Sequence, residues 1–211
     1  MIKLINVSKS FKNENVLNNI NVEFVEGHIY GITGRNGSGK SVLFKTICGF
    51  VTPDSGDIIV NDINIYKKKV FPTNISALIE KPKFLENLSG YDNLKLLARI
   101  KNIINDEDIL QVMTKLGLSK DKDKLYKNYS LGTKQKLGIA QVLMEDDKIL
   151  IFDEPFSGLD DKSVNDVRKI IIEEKKKGKI IILASHIKED IELLCDIIYR
   201  INDGQLKQIN K

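Results

Sequence analysis

At 211 residues the chain has room for one large domain, or a domain with a small subdomain, around a sizeable core. Hydrophobic content of 42% against 29% charged is that of an ordinary globular protein, and a modest net charge of +4, spread as Lys against Asp and Glu, does not argue for a nucleic-acid partner, and none is expected. Cys48 and Cys195 lie far apart and outside any C-x-x-C spacing, which excludes a disulfide framework or a zinc site, and no apolar run approaches the ~20 residues of a membrane span.

The N-terminal Met1–Asn6 has no apolar h-region, so no signal peptide is expected, and the two thiols are expected reduced in a cytosolic setting. Residues 1–11 and 16–25 alternate apolar and polar, with Ile5/Val7 and Ile20/Val22/Phe24 on one side, the period of half-buried strands. Asn13-Glu14-Asn15 reads as the turn between them. His28–Ile32 is a short buried strand, and it runs into Gly34–Ser41, which fits G-x-x-x-x-G-K-[ST]. A helix over 42–47 leaves the loop. Gly34, Gly37 and Gly39 let the backbone curl until successive N–H groups point into one nest, and the helix N-terminus adds positive potential. Lys40 is placed to reach β- and γ-phosphates, and the Ser41 hydroxyl to ligate Mg²⁺. Asn36, Ser38 and Val42 complete the candidate nucleotide contacts of the loop. A chance octapeptide of this form arises in about one chain in a hundred, and the strand and helix flanks make chance rarer still. Asp57–Val60 and Ile63–Tyr66 flank Asn61-Asp62, a tight hairpin signal.

From Asn74 to about Ala140 the pattern turns helical. Ile75–Glu80 reads as a strand stopped by Pro82. Ser89-Gly90-Tyr91-Asp92 resembles a capping box and opens a helix with Leu94, Leu97 and Ala98 on one face. Ile109, Val112, Met113 and Leu116 repeat at helical spacing before Gly117; they read as core packing. The stretch 74–140 predicts a helical subdomain inserted into a nucleotide-binding core of 1–73 and 141–211, within a single domain 1–211.

After Val142 strands and helices alternate. Ile149–Phe152 is a continuous apolar run, as expected of a strand covered on both faces. Ser163–Lys177 is a helix with Val164, Val167, Ile170 and Ile171 inward, ended by three lysines and Gly178. Ile180–Ala184 is another buried strand, and Asp203-Gly204 marks a final hairpin.

Two further constellations carry chemistry. The run Ile149–Phe152 ends in Asp153-Glu154-Pro155, a Walker B pattern. Set beside the P-loop on a neighbouring parallel strand, Asp153 would hold Mg²⁺ and Glu154 would orient and polarise the attacking water. Tyr129-Ser130-Leu131-Gly132-Thr133 runs into a helix, and a small hydroxyl with a Gly at a helix start makes a second anion site. One nucleotide needs no second site in its own chain; two chains facing head to tail would each complete the other's.

Taken in this order, the sequence resembles an ATP-binding cassette ATPase, the nucleotide-binding subunit of an ABC transporter, along essentially its whole length. Glu80 stands at the Q-loop position, Tyr129–Thr133 at the signature, Ser157-Gly158-Leu159-Asp160 at the D-loop and His186 at the switch histidine. The resemblance implies an α/β fold: a P-loop NTPase core with a mixed parallel sheet, an antiparallel β-subdomain and an inserted helical subdomain. It implies ATP and Mg²⁺ as cofactors, with catalytic roles for Glu154, His186 and Lys40. Phe11 would stack on adenine, with Val16 nearby, although a strand-end core Phe is the alternative. Glu80 would approach Mg²⁺ together with Ser41 and Asp153. Ser130 and Gly132 would touch the γ-phosphate held by a second subunit, and Asp160 would contact that subunit. His28 is read as non-catalytic. The implied partners are an integral membrane permease and a second such ATPase subunit, a homodimer being the expectation, with the chain at the cytoplasmic face of the membrane. Phe84, Leu85 and Leu88 are candidate permease contacts or core residues.

Two departures are visible. The commonest signature, Leu-Ser-Gly-Gly-Gln, is here Tyr-Ser-Leu-Gly-Thr, and the Q-loop Gln is Glu80. Both resemble a branch that includes bacitracin-type and lantibiotic self-protection exporters. A soluble ABC protein acting in translation or DNA maintenance is the competing class. It fits less well, because there is one cassette, about ninety residues separate P-loop and signature, and no heptads are sustained.

Overall fold

Period-two alternation in the first quarter of the chain builds a four-stranded antiparallel sheet in the order β2-β1-β4-β5. The computed structural model describes residues 1–12 and 14–209. The strands are β1 (Ile2–Phe11), β2 (Glu14–Phe24), β4 (Ser55–Val60) and β5 (Ile63–Asn64). Glu14 and Asn15, expected in the first turn, already pair with Phe11 and Ser10, while Asn13 lies outside the described residues. The hairpin at Asn61-Asp62 forms, both residues having positive φ (48° and 63°) as a tight two-residue turn requires. Its second strand is shorter than expected. Asn64 diverts the chain by accepting from the Lys67 N–H and donating to Asp57, so Tyr66 leaves the sheet and caps the α1 region through its hydroxyl.

The second sheet has six strands in the order β10-β9-β3-β8-β7-β6, parallel except for the hairpin of β9 (Ile197–Asn202) and β10 (Gln205–Ile209). Its interior members are β3 (Ile29–Thr33), β7 (Ile149–Asp153) and β8 (Ile180–Ala184), with β6 (Ile75–Leu78) at the edge. β7 and β8 are buried at every position. Their side chains alternate between two cores. Ile149, Ile151, Ile180 and Ile182 pack with β1, β2, β4 and helix α1 (Lys40–Ile47), whereas Leu150, Phe152, Ile181 and Leu183 pack against helices on the other face. Those helices are α2 (Gly90–Lys101), α3 (Asp106–Lys115), α4 (Leu131–Leu143), α5 (Asp161–Lys176) and α6 (Lys188–Leu194). The result is a three-layer α/β arrangement with the six-stranded sheet in the middle.

Three expectations need correction. Residues 75–78, placed in the helical segment, are the edge strand of the central sheet, paired in parallel with β7, because Ile75 and Leu78 extend its two apolar faces, one into each core. That strand stops at Leu78 rather than Glu80, since Glu80 adopts a left-handed φ of 65° ahead of Pro82. At α2, the Ser89 hydroxyl accepts from the Asp92 N–H as foreseen, but the Asp92 carboxylate accepts from the Ser89 hydroxyl instead of from the backbone N–H. The complete capping box belongs to Asn105 and Asp108 at the start of α3.

Candidate functional site

Six of the seven consecutive residues from Asn36 to Val42 line one end of a cleft of about 990 Å³, together with Val16, Glu80, Asp153 and Glu154. The cleft continues along Pro82–Phe84, Tyr126 and the start of α4 at Leu131, Lys134 and Gln135. It opens where β3 and β7 end, the edge of a parallel sheet at which ligands ordinarily bind.

The loop between β3 and α1 has the conformation its glycines permit. Gly37 (φ 78°) faces open space, while a Cβ on Gly39 (φ 105°) would stand 2.8 Å from the Val16 carbonyl oxygen. Helices α2 to α5 each begin on a side-chain cap, from Ser89, Asn105, Ser130 and Asp160. Helix α1 begins on Gly39 with none, so its first N–H groups remain available to an anion. The Lys40 ammonium donates to the carbonyl oxygens of Gly34 and Arg35 at 2.9 and 3.1 Å, and no carboxylate among the described residues lies within ion-pair distance of it. The Ser38 hydroxyl is buried without a hydrogen-bond partner among them. A nine-tenths buried cation, an uncapped helix start and an orphaned hydroxyl are what a bound phosphate chain would satisfy.

Ser41 donates to Asp153 Oδ2 at 2.6 Å. The strand carrying Asp153 is not the immediate neighbour of β3, as the sequence suggested, because β8 is inserted between them. Helix α1, returning over the sheet, closes that gap. Burial pushes the Asp153 carboxyl above its ordinary value; the Ser41 hydrogen bond and Lys40 oppose this, and the charges of Glu154 and Glu80 add to it. Among the described residues no group of three His, Cys, Asp or Glu side chains could hold a metal. A hydroxyl and one carboxylate suit Mg²⁺, which binds through few protein oxygens plus substrate phosphates. Glu80 is drawn elsewhere: Lys45, one turn beyond Ser41 on α1, pairs with it at 2.5 Å and holds its carboxyl below the ordinary value.

Glu154 follows β7 with a left-handed φ of 54°, its N–H donating to Ala184 O at 2.9 Å. Its carboxylate meets His186 twice, at Nδ1 (2.7 Å) and at the backbone N–H (3.3 Å). The buried Gln135 of α4 donates to the carbonyls of Glu154 and Pro155 at 3.0 and 3.1 Å. Gln135 is a functional residue beyond those expected from the sequence, where its signal is a polar side chain one turn from Gly138 and Ile139 on a buried helix face.

Other candidates stand apart. Phe11 is 45% exposed at the end of β1, under the Lys9 ammonium, and does not line the cleft. Ser130 accepts from the Thr133 N–H as the cap of α4, and Gly132 makes room for the Gly158 carbonyl, which a Cβ would approach to 2.8 Å. Asp160 caps α5 through the Ser163 N–H, which holds its carboxyl below the ordinary value. Phe84 packs edge-on against Tyr126, Leu88 is half-buried and Leu85 is 54% exposed.

A three-layer α/β fold with an uncapped P-loop helix facing an Asp-Glu strand end defines a nucleotide-binding ATPase cassette. The family model described as ABC transporter matches residues 17–157, and the chain belongs to that family, as an ATP-binding subunit. It is 40% identical over 211 residues to an uncharacterized ABC transporter ATP-binding protein, YybJ, of Bacillus subtilis, covering 100% of this chain and 97% of that protein. It is 36% identical to the lantibiotic transport ATP-binding protein SrtF of Streptococcus pyogenes (98% and 89% covered) and 34% identical to the bacitracin transport ATP-binding protein BcrA of Enterococcus faecalis (98% and 68%). The fold matches the dimeric post-hydrolysis state of the ATP-binding cassette MJ0796 bound to ADP and Pi, with a TM-score of 0.90 at 21% identity over the full length of both chains.

Proposed function

We propose that this chain hydrolyses ATP as one half of a dimeric pair and drives a separate membrane permease that exports an antimicrobial peptide or drug. The observation that carries the reading is the convergence of Lys40, Ser41, Asp153 and the Glu154–His186 pair at one end of the cleft. Lys40 exchanges its carbonyl partners for the β- and γ-phosphates, and the loop N–H groups and Ser38 take the remaining oxygens. Ser41 and Asp153 would hold Mg²⁺, whose chemistry would be to neutralise phosphate charge. Glu154 accepts a hydrogen bond from the attacking water and is held in place by its left-handed backbone, Gln135 and His186. Ser130 and Asp160, exposed at the starts of α4 and α5, reach a second subunit.

The export of peptides is supported by the relatives SrtF and BcrA, ATP-binding proteins of lantibiotic and bacitracin transport. Among the described residues no helix is long and apolar enough to cross a membrane, so a pore would come from another chain; the exposed Leu85, beside the cleft, is a candidate contact. The test is purification from the native membrane in mild detergent, with identification of co-purifying chains and assay of ATP hydrolysis. A polytopic partner is expected, with turnover falling about 10²–10⁴-fold in Glu154→Gln. A soluble ribosomal or DNA-bound partner in its place would overturn the transport reading.

A further inference from the structure

Asp190 is fully buried, yet the chemistry above makes no use of it. It stands in the first turn of α6, and both its oxygens are engaged. Oδ1 accepts from Arg168 Nε at 3.0 Å and from Nη2 of the same guanidinium; Oδ2 accepts from the Ser185 hydroxyl at 3.2 Å. The Ser185 oxygen in turn accepts from the Ile187 N–H at 3.1 Å. These bonds fasten the residues on both sides of His186. The histidine side chain is itself 66% exposed, on a three-residue loop between a buried strand and a seven-residue helix that has no side-chain cap. Apart from its own contact with Glu154, the ring takes its direction from these flanking residues.

We propose that Arg168, Asp190 and Ser185 form a positioning clamp that holds His186 against Glu154 and ties that contact to α5. The proposal rests on the reading of Glu154 and His186 as the catalytic pair. Arg168 is two turns along α5 from its cap Asp160, about 12 Å, so a shift of the helix start reaches the histidine through one rigid element. A surface ion pair could not do this, because its geometry is loose. Here the carboxylate is wholly buried and meets the planar guanidinium through two donors, which leaves it one arrangement. None of the three residues lines the cleft, so their loss spares nucleotide binding and lowers turnover.

The chain has two histidines, so the Cε1–H region of its imidazole ¹H–¹³C spectrum carries two signals, and His28→Gln assigns them. In the purified full chain, Ser185→Ala is expected to move the His186 signal toward its position in Glu154→Gln. It should lower kcat about 10–100-fold with KM for ATP within about two-fold. Ser185→Thr, which keeps the hydroxyl, recovers most of that loss, and Arg168→Lys, which keeps charge without the fork, falls between. A clamp that merely stabilises the fold would lower Tm and leave ring signal and kcat alone; that result in folded Ser185→Ala and Arg168→Lys overturns the proposal. Wild-type turnover by His186→Ala instead removes the catalytic-pair reading on which the proposal stands, and the proposal with it.

Discussion

Asp153 shows what a site residue costs a fold. The residue is 5% exposed, close to Glu154, and its folded pKa lies above the ordinary carboxylate value, chiefly through burial. A group so shifted destabilises the folded state while it is ionised, and the penalty fades as pH falls through the folded value. Asp153→Asn keeps the size and can still accept from Ser41. The nucleotide-free variant is therefore expected to melt above the wild type at pH 7, by about 2–4 °C per kcal/mol regained, with the gap closing toward pH 4. Differential scanning fluorimetry across pH reads both. The same variant should lose divalent-dependent nucleotide binding. A lower melting temperature at pH 7 would mean that the Ser41 bond to the carboxylate outweighs desolvation.

Helix α4 illustrates the element scale. Its start, capped by Ser130, faces outward, whereas one turn later Gln135 reaches into the turn after β7 and satisfies two carbonyls there. Gln135→Leu preserves volume and helix propensity but leaves both carbonyls without that donor. We expect a loss of about 1–3 kcal/mol in urea unfolding and a fall in ATP turnover at unchanged nucleotide affinity. A variant that unfolds at the wild-type midpoint and turns over normally would show water replacing the amide. Elements of this kind mark what the sequence could and could not convey. The strand–loop–helix around Gly34–Ser41, the apolar run before Asp153 and the helix periods of α2, α3 and α5 were legible, because each is written in local spacing. The insertion of β8 between β3 and β7 was not, since strand order is decided by packing of the crossovers. Nor was the pairing of Lys45 with Glu80 or of Arg168 with Asp190, partners 35 and 22 residues apart whose contact exists only once helices are docked. Leu131 looked like a departure from a Gly; in place, it covers Gly158, with no room for a Cβ there.

Across the whole molecule, lysines carried by the helices and by the strand ends converge on a few buried acids. Glu174 of α5, 4% exposed, receives Lys179 at 2.6 Å and Lys177 at 2.9 Å, with Lys115 of α3 at 3.7 Å. Burial works to raise its pKa, but the hydrogen bonds from Lys179 and Lys177 outweigh it and the value lies below the ordinary one. The sign is opposite to that of Asp153: the contribution to stability is present above the unfolded value of about 4.3 and is lost as pH drops through the folded value. Glu174→Gln removes one of the two carboxylates that meet the nearly buried Lys179, which keeps Asp146 at 2.6 Å, and is expected to cost about 1.5–3 kcal/mol at pH 7, the difference shrinking in acid. Denaturant titrations at pH 7 and pH 4 measure it; a constant difference would show that the loss is one of packing.

The apolar cluster on the helical face runs without a break from Leu94 of α2 and Met113 of α3, through Leu137 and Leu150, to Ile181 and Ile198. Between α3 and α4 the chain crosses the surface as a lysine-rich stretch, with Lys120, Lys122, Lys124 and Lys127 in turns or the short 3-10 segment. Limited trypsin digestion should cut there, and the two fragments, each holding half of the same oily interior, should still migrate together on a sizing column and come apart only in denaturant.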